Sequence, residues 1–200
     1  MIMPNLTLQK LCLTLLLSSV FALHGCTALV VGGAAGATAK TVHDRRTPGT
    51  VIDDKNLELL ITKSLLGDKY LNDYSNTNLT VFNGVVLVTG EASSNEVRTR
   101  ILTLVKNTPN VKRVESDIII GPKSSLLSRG SDSAITGQVK TALLSLNMEN
   151  FDPTLINVST ERGNVYLMGI VSRAEADAIA EKARRIRGVK SVTKVFEYVD

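Results

Sequence analysis

The chain has 200 residues, with 23 Lys+Arg against 19 Asp+Glu, 44% hydrophobic residues and no Trp. That is the composition of a folded protein rather than a disordered or collagen-like one, and its length admits one ordinary domain or two small ones. With two Cys and two His in all, metal sites and histidine-based catalysis are nearly excluded, and no cofactor is expected.

Lys10 is followed by an apolar run over residues 11–23, the length of a signal-peptide core and too short to cross a bilayer as a helix. The run closes on Leu23-His24-Gly25-Cys26, which resembles the lipobox of bacterial lipoproteins, with His24 in place of the usual small residue. The resemblance implies cleavage after Gly25 and lipidation of Cys26, so that residues 1–25 are a signal peptide. Two or more acyl chains on that cysteine would anchor the protein stably without a transmembrane helix. Thr27, where an Asp would retain a lipoprotein at the inner membrane, implies by the same resemblance the inner leaflet of the outer membrane, with the folded part facing the periplasm. Cys12 leaves with the signal and Cys26 is acylated, so no disulfide is expected in the mature chain.

Residues 26–52 read as a lipidated tether. Their Gly/Ala-rich part, residues 28–39, is a flexible spacer or, alternatively, a short small-residue helix packed against lipid or a partner. Gly32, Gly33 and Gly36 lack the Gly-Lys-Ser/Thr ending of a phosphate-binding loop. His43, beside Asp44 and Arg45, is expected in solvent.

An internal repeat with an offset of 78 or 79 residues organises the rest. Asn83-Gly84-Val85-Val86-Leu87-Val88-Thr89-Gly90 overlays Arg162-Gly163-Asn164-Val165-Tyr166-Leu167-Met168-Gly169, and Asn110-Val111-Lys112-Arg113-Val114 overlays Gly188-Val189-Lys190-Ser191-Val192. In the second copy Ile135, Val139, Ala142, Leu143 and Leu146 mark one face of a helix, with Ser131 or Asp132 as its cap. A strand over 155–159, a turn at Glu161-Arg162-Gly163 and a strand over 164–171 form a hairpin. In that second strand Val165, Leu167 and Gly169 point one way, and Tyr166 and Met168 the other. A helix over 173–187 carries the stripe Ala176, Ile179, Ala180, Ala183 and Ile186, stops at Gly188 and leads into a last strand over 189–199. The first copy repeats this α-β-β-α-β order through Leu57, Ile61 and Leu65, strands near Thr80 and over 85–89, the stripe Val97, Ile101, Leu104 and Val105, and a strand over 111–120. Pro109 is expected to end its second helix. Gly84, Gly90, Gly163, Gly169 and Gly188 are read as structural turn and close-approach positions.

The Gly-bounded strand Val165-Tyr166-Leu167-Met168-Gly169 and the Gly188-Val189-Lys190-Ser191-Val192 segment, with their counterparts in the first copy, resemble the BON domain. With the lipobox and the tandem arrangement, the whole chain looks like a dual-BON outer-membrane lipoprotein of Gram-negative bacteria. The resemblance implies an α+β fold of two domains, residues 53–121 and 131–200 joined by a linker over 122–130, each with helices packed on a small three-stranded mixed sheet. A linker so short implies that the domains touch.

Residues 54–120 carry eight acidic and eight basic side chains, and residues 131–200 nine of each, which disfavours nucleic acid as a partner. Within the second domain Lys182, Arg184, Arg185, Arg187, Lys190 and Lys194 gather near the end of the second helix, either as a solvated helix terminus or as an anion site. Neither repeat holds a Cys or His nucleophile, and scattered carboxylates are explained as caps, so the chain is read as a non-enzyme. The resemblance further implies binding of anionic phospholipid, phosphatidylglycerol or cardiolipin, by the second domain at the start of its first helix, in support of outer-membrane integrity and resistance to envelope stress. The matching residues are Ser133, Ala134, Ile135 and Gly137, with Arg184, Arg185 and Arg187 as candidate headgroup cations. Ala134 stands where an interfacial aromatic residue would be expected, and Leu126, Leu127 and Phe151 are further apolar candidates. The alternative is a tethered scaffold that holds an envelope-assembly or wall-remodelling protein without reading lipid.

Overall fold

A computed structural model describes residues 44–149 and 151–199, which hold five α-helices and two three-stranded sheets. Cys26, His43 and the Gly/Ala-rich segment lie outside the described residues. Helix α1 spans Pro48–Gly67, opened by Thr47, whose hydroxyl accepts from the Thr50 amide, with Pro48 in the first turn where its missing N–H costs nothing. A short α2, Lys69–Tyr74, follows under an Asp68 cap. Strand β1, Ser75–Phe82, pairs antiparallel with β2, Val85–Ala92. Helix α3, Asn95–Lys106, then crosses over so that β3, Arg113–Ile120, lies parallel to β2 on its other side.

The second half repeats this plan. Helix α4 spans Leu126–Leu143, a 3-10 turn covers Pro153–Leu155, and β4, Asn157–Glu161, pairs antiparallel with β5, Asn164–Val171. Helix α5, Arg173–Arg184, carries a full capping box between Ser172 and Glu175, and β6, Ser191–Tyr198, closes the sheet parallel to β5. Each hairpin turns on two residues of positive φ, Asn83 and Gly84 at 50° and 76°, Arg162 and Gly163 at 53° and 80°. That is the two-residue turn whose twist matches paired strands.

Several details depart from the sequence expectation: α1 starts at Pro48, inside the expected tether, α2 is an added turn of helix, and α5 ends at Arg184 with β6 starting at Ser191. Helix α4 begins at Leu126 with Ser125 as its cap, so half of the expected linker is helical and neither Ser131 nor Asp132 caps it. The 3-10 turn takes Leu155, so β4 starts later than expected. In the first domain the left-handed position that Gly188 fills at 94° is filled by Asn110 at 69°, and α3 has already ended at Lys106, before Pro109. Asn tolerates that conformation better than other L residues.

Two domain cores lie between helices and sheets. Leu57, Ile61, Val86, Val88, Val97 and Ile101 fill the first, and Ile135, Val139, Val165, Leu167, Ile179 and Phe196 the second. A third core joins them: Phe82, Val85 and Leu87 on the far face of one sheet pack with Tyr166, Met168 and Val195 on the far face of the other. The layers run helices, sheet, sheet, helices. This accounts for β2 being buried at every position, since alternate residues serve the domain core and the shared core. The domains do touch, through their sheets.

Polar side chains ring the shared core. Arg162 Nε donates to Glu91 at 2.8 Å, Asn78 to Glu161 at 2.7 Å, Asn83 to Glu197 at 2.9 Å, and the Tyr166 hydroxyl to Asp117. Ahead of α1, Arg45 makes a bidentate pair with Glu175 at 2.7 and 2.8 Å, while Arg46 lies over the Phe82 ring and pairs with Asp44 and Asp54. Asp44, Arg45 and Arg46 are thus tied to the folded body.

Candidate functional site

The start of α4, the Arg162–Gly163 turn and the loop between α5 and β6 converge at one end of the second domain. They enclose a hollow of about 450 Å³ lined by Ser125, Leu127, Ser128, Ser131, Arg162 and Lys190, among others. The turn is held from within: Asp132, 6% exposed, accepts the backbone amides of Arg162 and Gly163 at 2.9 and 2.8 Å. That spends both carboxylate oxygens on the scaffold. Besides Asp132, so engaged, and the apolar Leu127 and Ile135, the hollow is lined by the helix N-terminus, serine hydroxyls and two cations, which suit an anion.

Arg162 is oriented by Glu91 and by the Pro122 carbonyl, to which it donates at 3.1 Å. Glu91 is fully buried; burial raises its pKa, but hydrogen bonds from Asn76, Ser124 and Arg162 and the charge of Arg162 outweigh it, leaving the carboxyl below its ordinary range. Arg162 therefore faces a standing negative charge, whereas Lys190, exposed, makes no ion pair among the described residues.

The expected lipid contacts separate into two groups. Ser133, Ala134 and Gly137 are exposed on α4, but Ile135 is 6% exposed and belongs to the domain core, where it abuts Gly188. The helix starts earlier than its sequence suggests, so the apolar surface near its beginning is supplied by Leu126 and Leu127, 80% and 85% exposed. Phe151 packs against the core. Among the cations, Arg184 and Arg185 both pair with Glu181, and Lys194 with Asp177, whose carboxyl that pairing lowers. Arg187 and Lys190 lie on either side of Gly188, which abuts Ile135, and both are exposed; Arg129, in the first turn of α4, and Lys123 ahead of its cap are exposed cations at the helix start as well.

The repeat supplies an internal control. The first domain has a hollow of about 460 Å³ in the equivalent place, lined by Thr50, Asp53, Asn83, Gly84, Asn110 and Lys112, among others. There Asp54 holds the Asn83–Gly84 turn as Asp132 holds its counterpart. Asp53 stands where the second domain has Ser131, and Asn83 where it has Arg162. One architecture carries two polarities, and only the second domain's is basic.

Among the described residues, no group of three or more His, Cys, Asp or Glu is placed to hold a metal ion, and no helix is long and apolar enough to cross a membrane. The one titratable group with a large shift, Tyr166, is pushed up by burial and by Asp117, and sits in the shared core rather than in a hollow. The expected glycines divide by role. Gly84, Gly163 and Gly188 need positive φ, Gly90 has positive φ and a close backbone approach, and Gly169 makes room for Ile156.

A family model described as the BON domain matches residues 53–122 and 131–200. The chain is 36% identical to the outer membrane lipoprotein DolP of Haemophilus influenzae over 188 residues, covering 94% of this chain and 96% of that one. It is 36% identical to a 21 kDa hemolysin of Actinobacillus pleuropneumoniae over 156 residues, 78% of this chain and 79% of that one. An uncharacterised protein of Anaplasma centrale is 29% identical over 146 residues, 70% of this chain and 91% of that one.

Proposed function

The chain belongs to the BON-domain family as a dual-domain, outer-membrane-associated protein of the DolP type, and from that premise we propose that its second domain binds anionic phospholipid. In this reading Cys26 is acylated and holds the protein on the inner leaflet of the outer membrane, with both domains in the periplasm. The hollow at the start of α4 receives a phosphate-bearing headgroup, phosphatidylglycerol or cardiolipin, and the protein supports envelope integrity under stress without catalysing a reaction.

The observation that carries the reading is the change of polarity between the equivalent hollows: Ser131, Arg162 and Lys190 in the second, Asp53, Asn83 and Lys112 in the first. A fold requirement would have left the same groups in both. Leu126 and Leu127 beside the hollow supply apolar side chains that enter the interface while the cations stay at headgroup level. Arg187 adds attraction at the rim, and Ser133, Ala134 and Gly137 let the helix lie close to the surface. Arg184 and Arg185, each engaged by Glu181, contribute to the general field.

The test is co-sedimentation of a soluble fragment beginning at Thr27 with vesicles containing phosphatidylglycerol or cardiolipin, against phosphatidylcholine alone, at low and moderate salt. Binding only to anionic vesicles, weakened by salt and by Arg187→Glu with Lys190→Glu, supports the proposal. Leu126→Ser with Leu127→Ser should reduce binding without altering its salt dependence. No binding at any composition would leave Cys26 as the membrane contact and turn the function towards a tethered protein scaffold.

A further inference from the structure

Helix α1 is apolar on two sides. Leu57, Ile61 and Leu65 are buried towards the first domain's core, whereas Ile52, Leu59 and Leu66 are 62%, 68% and 62% exposed. Seven residues make nearly two turns, so these three stand almost in line over about 21 Å of the opposite side. Lys55 and Lys63, four residues to either side of Leu59, border the line. At the far end Tyr70 and Tyr74 of α2 stand 4.9 Å apart between ring centres, half exposed, with Lys69 beside them. Helix α1 is in an outermost layer, and no other described element lies over this side.

The fold does not require it. At the repeat offset of 78, Ile52 corresponds to Gly130 and Leu59 to Gly137, yet α4 packs on its sheet as α1 does on its own. Leu66 corresponds to Leu144, also exposed, so the second copy keeps one end of the line and loses the rest of it; a continuous apolar patch stands on the first copy alone, and such patches on a protein surface mark contact surfaces.

We propose that this side of α1, with the tyrosines of α2, lies on the bilayer as a second membrane-contact surface. The stripe is convex and bordered by Lys63 and by Lys55, which makes an exposed pair with Glu58 at 3.1 Å; lysine stems run along apolar surface while their ammonium groups reach headgroups, and the line ends in paired tyrosines, Tyr70 beneath Arg100, suited to the water–lipid boundary. It is also the first folded element after the segment that carries Cys26. Twenty residues separate Cys26 from the α1 cap Thr47, a reach of at most about 70 Å. A second copy fits less well: antiparallel pairing about Leu59 would set Lys55 against the partner's lysine at position 63 on both sides. The inference leans on the anchor at Cys26 but not on the headgroup site of the second domain. Helices α1 and α4 cover opposite outer layers, so the two surfaces are separable.

The experiment places the photo-crosslinking residue p-benzoylphenylalanine at Asn56 in the full chain, irradiates the membranes of cells that make it, and identifies adducts by mass spectrometry. Probes at Ser128 and at Lys182 report the second domain's site and an uninvolved helix. Phospholipid adducts at position 56 well above those at position 182 are expected, falling about tenfold when Ile52→Ser and Leu59→Ser remove two apolar contacts. Adducts to another copy or to another protein, or none above the level at position 182, overturn the proposal. Loss of lipid adducts at position 128 alone bears only on the second domain's site.

Discussion

Asp54 and Asp132 stand 78 residues apart and hold equivalent turns in the same way. Each, on the first long helix of its domain, accepts both backbone amides of a two-residue hairpin turn, Asn83 and Gly84 for one, Arg162 and Gly163 for the other. A turn of this kind directs its amides inward, where they need an acceptor once water is excluded. Buried carboxylates, in turn, need donors. The pairing satisfies both and fixes the angle between helix and hairpin, on which each hollow depends. Asp132→Ala leaves two amides without their acceptor and should cost about 3 kcal/mol, seen as a lowered denaturant midpoint. Asp132→Asn keeps one acceptor and should cost less. Equal losses for the two variants would show that the acceptor oxygen kept by Asn contributes nothing to holding the turn.

The repeat, the order of elements and the sheets are legible in the sequence because they rest on local signals: apolar periods of 3.6 and 2, and glycine at forced turns. The bonds from Asp132 to the Arg162–Gly163 turn are not, since spacing of about thirty residues carries no periodicity. One signal is present, an Asp at the same offset in both copies within an otherwise apolar stripe. The misplacement of Ile135 has a single cause. Gly130 reads as the end of a linker, although α4 runs through it, and this sets the expected helix start more than a turn too late. The shared core is half visible in Tyr166 and Met168 opposite Val165 and Leu167. What covers them depends on the other domain, which no pattern within one copy can specify.

Gly90 is the glycine least open to change. Its φ is 117°, and a Cβ there would sit 2.1 Å from the Asn76 carbonyl oxygen on the paired strand. Backbone cannot retreat as a side chain can, so Gly90→Ala should cost about 3 kcal/mol or more and express poorly. At Gly169 the obstacle is the Ile156 Cδ1 at 2.8 Å, the end of a flexible side chain, and φ is not positive. Gly169→Ala is expected to be the milder change by urea unfolding. The reverse order would mean that β1 shifts more easily than Ile156 repacks.

The shared core predicts that the domains unfold together. Met168 is 1% exposed, among Phe82, Val85, Leu87, Tyr166 and Val195, and its removal from water depends on both sheets. Met168→Lys places an unpaired cation there, at a cost of about 3 kcal/mol or more if the domains stay docked. Undocking relieves it. Calorimetry should therefore show one transition for the natural chain and two for Met168→Lys, with each domain retaining its own core. A single, uniformly lowered transition would mean that the second domain cannot stand without the first.

Glu161 is the weak point of the same interface, and its titration gives it a sign. One oxygen accepts from Asn78, while the other is buried without a partner. Burial raises its pKa, and the nearby charges of Glu91 and Asp132 raise it further against the opposing effects of Asn78 and Arg162. A carboxyl with a raised pKa in the folded state is held unfavourably when ionised. Its penalty is absent below the ordinary Glu value of about 4.3, appears as the unfolded chain ionises, and is fully present above the folded pKa. Glu161→Gln keeps an acceptor for Asn78 and removes the charge. It should raise the thermal midpoint at pH 7, by a margin that shrinks as pH falls towards 4. Glu175 behaves oppositely: the Arg45 pair lowers its pKa, so the stability it contributes is lost as pH falls through the folded value. Its own Gln variant should be less stable at pH 7 and approach the natural chain in acid. If Glu161→Gln were destabilising at pH 7, the ionised carboxylate would have to be a favoured member of the interface, and the unpartnered oxygen would need a donor supplied by solvent.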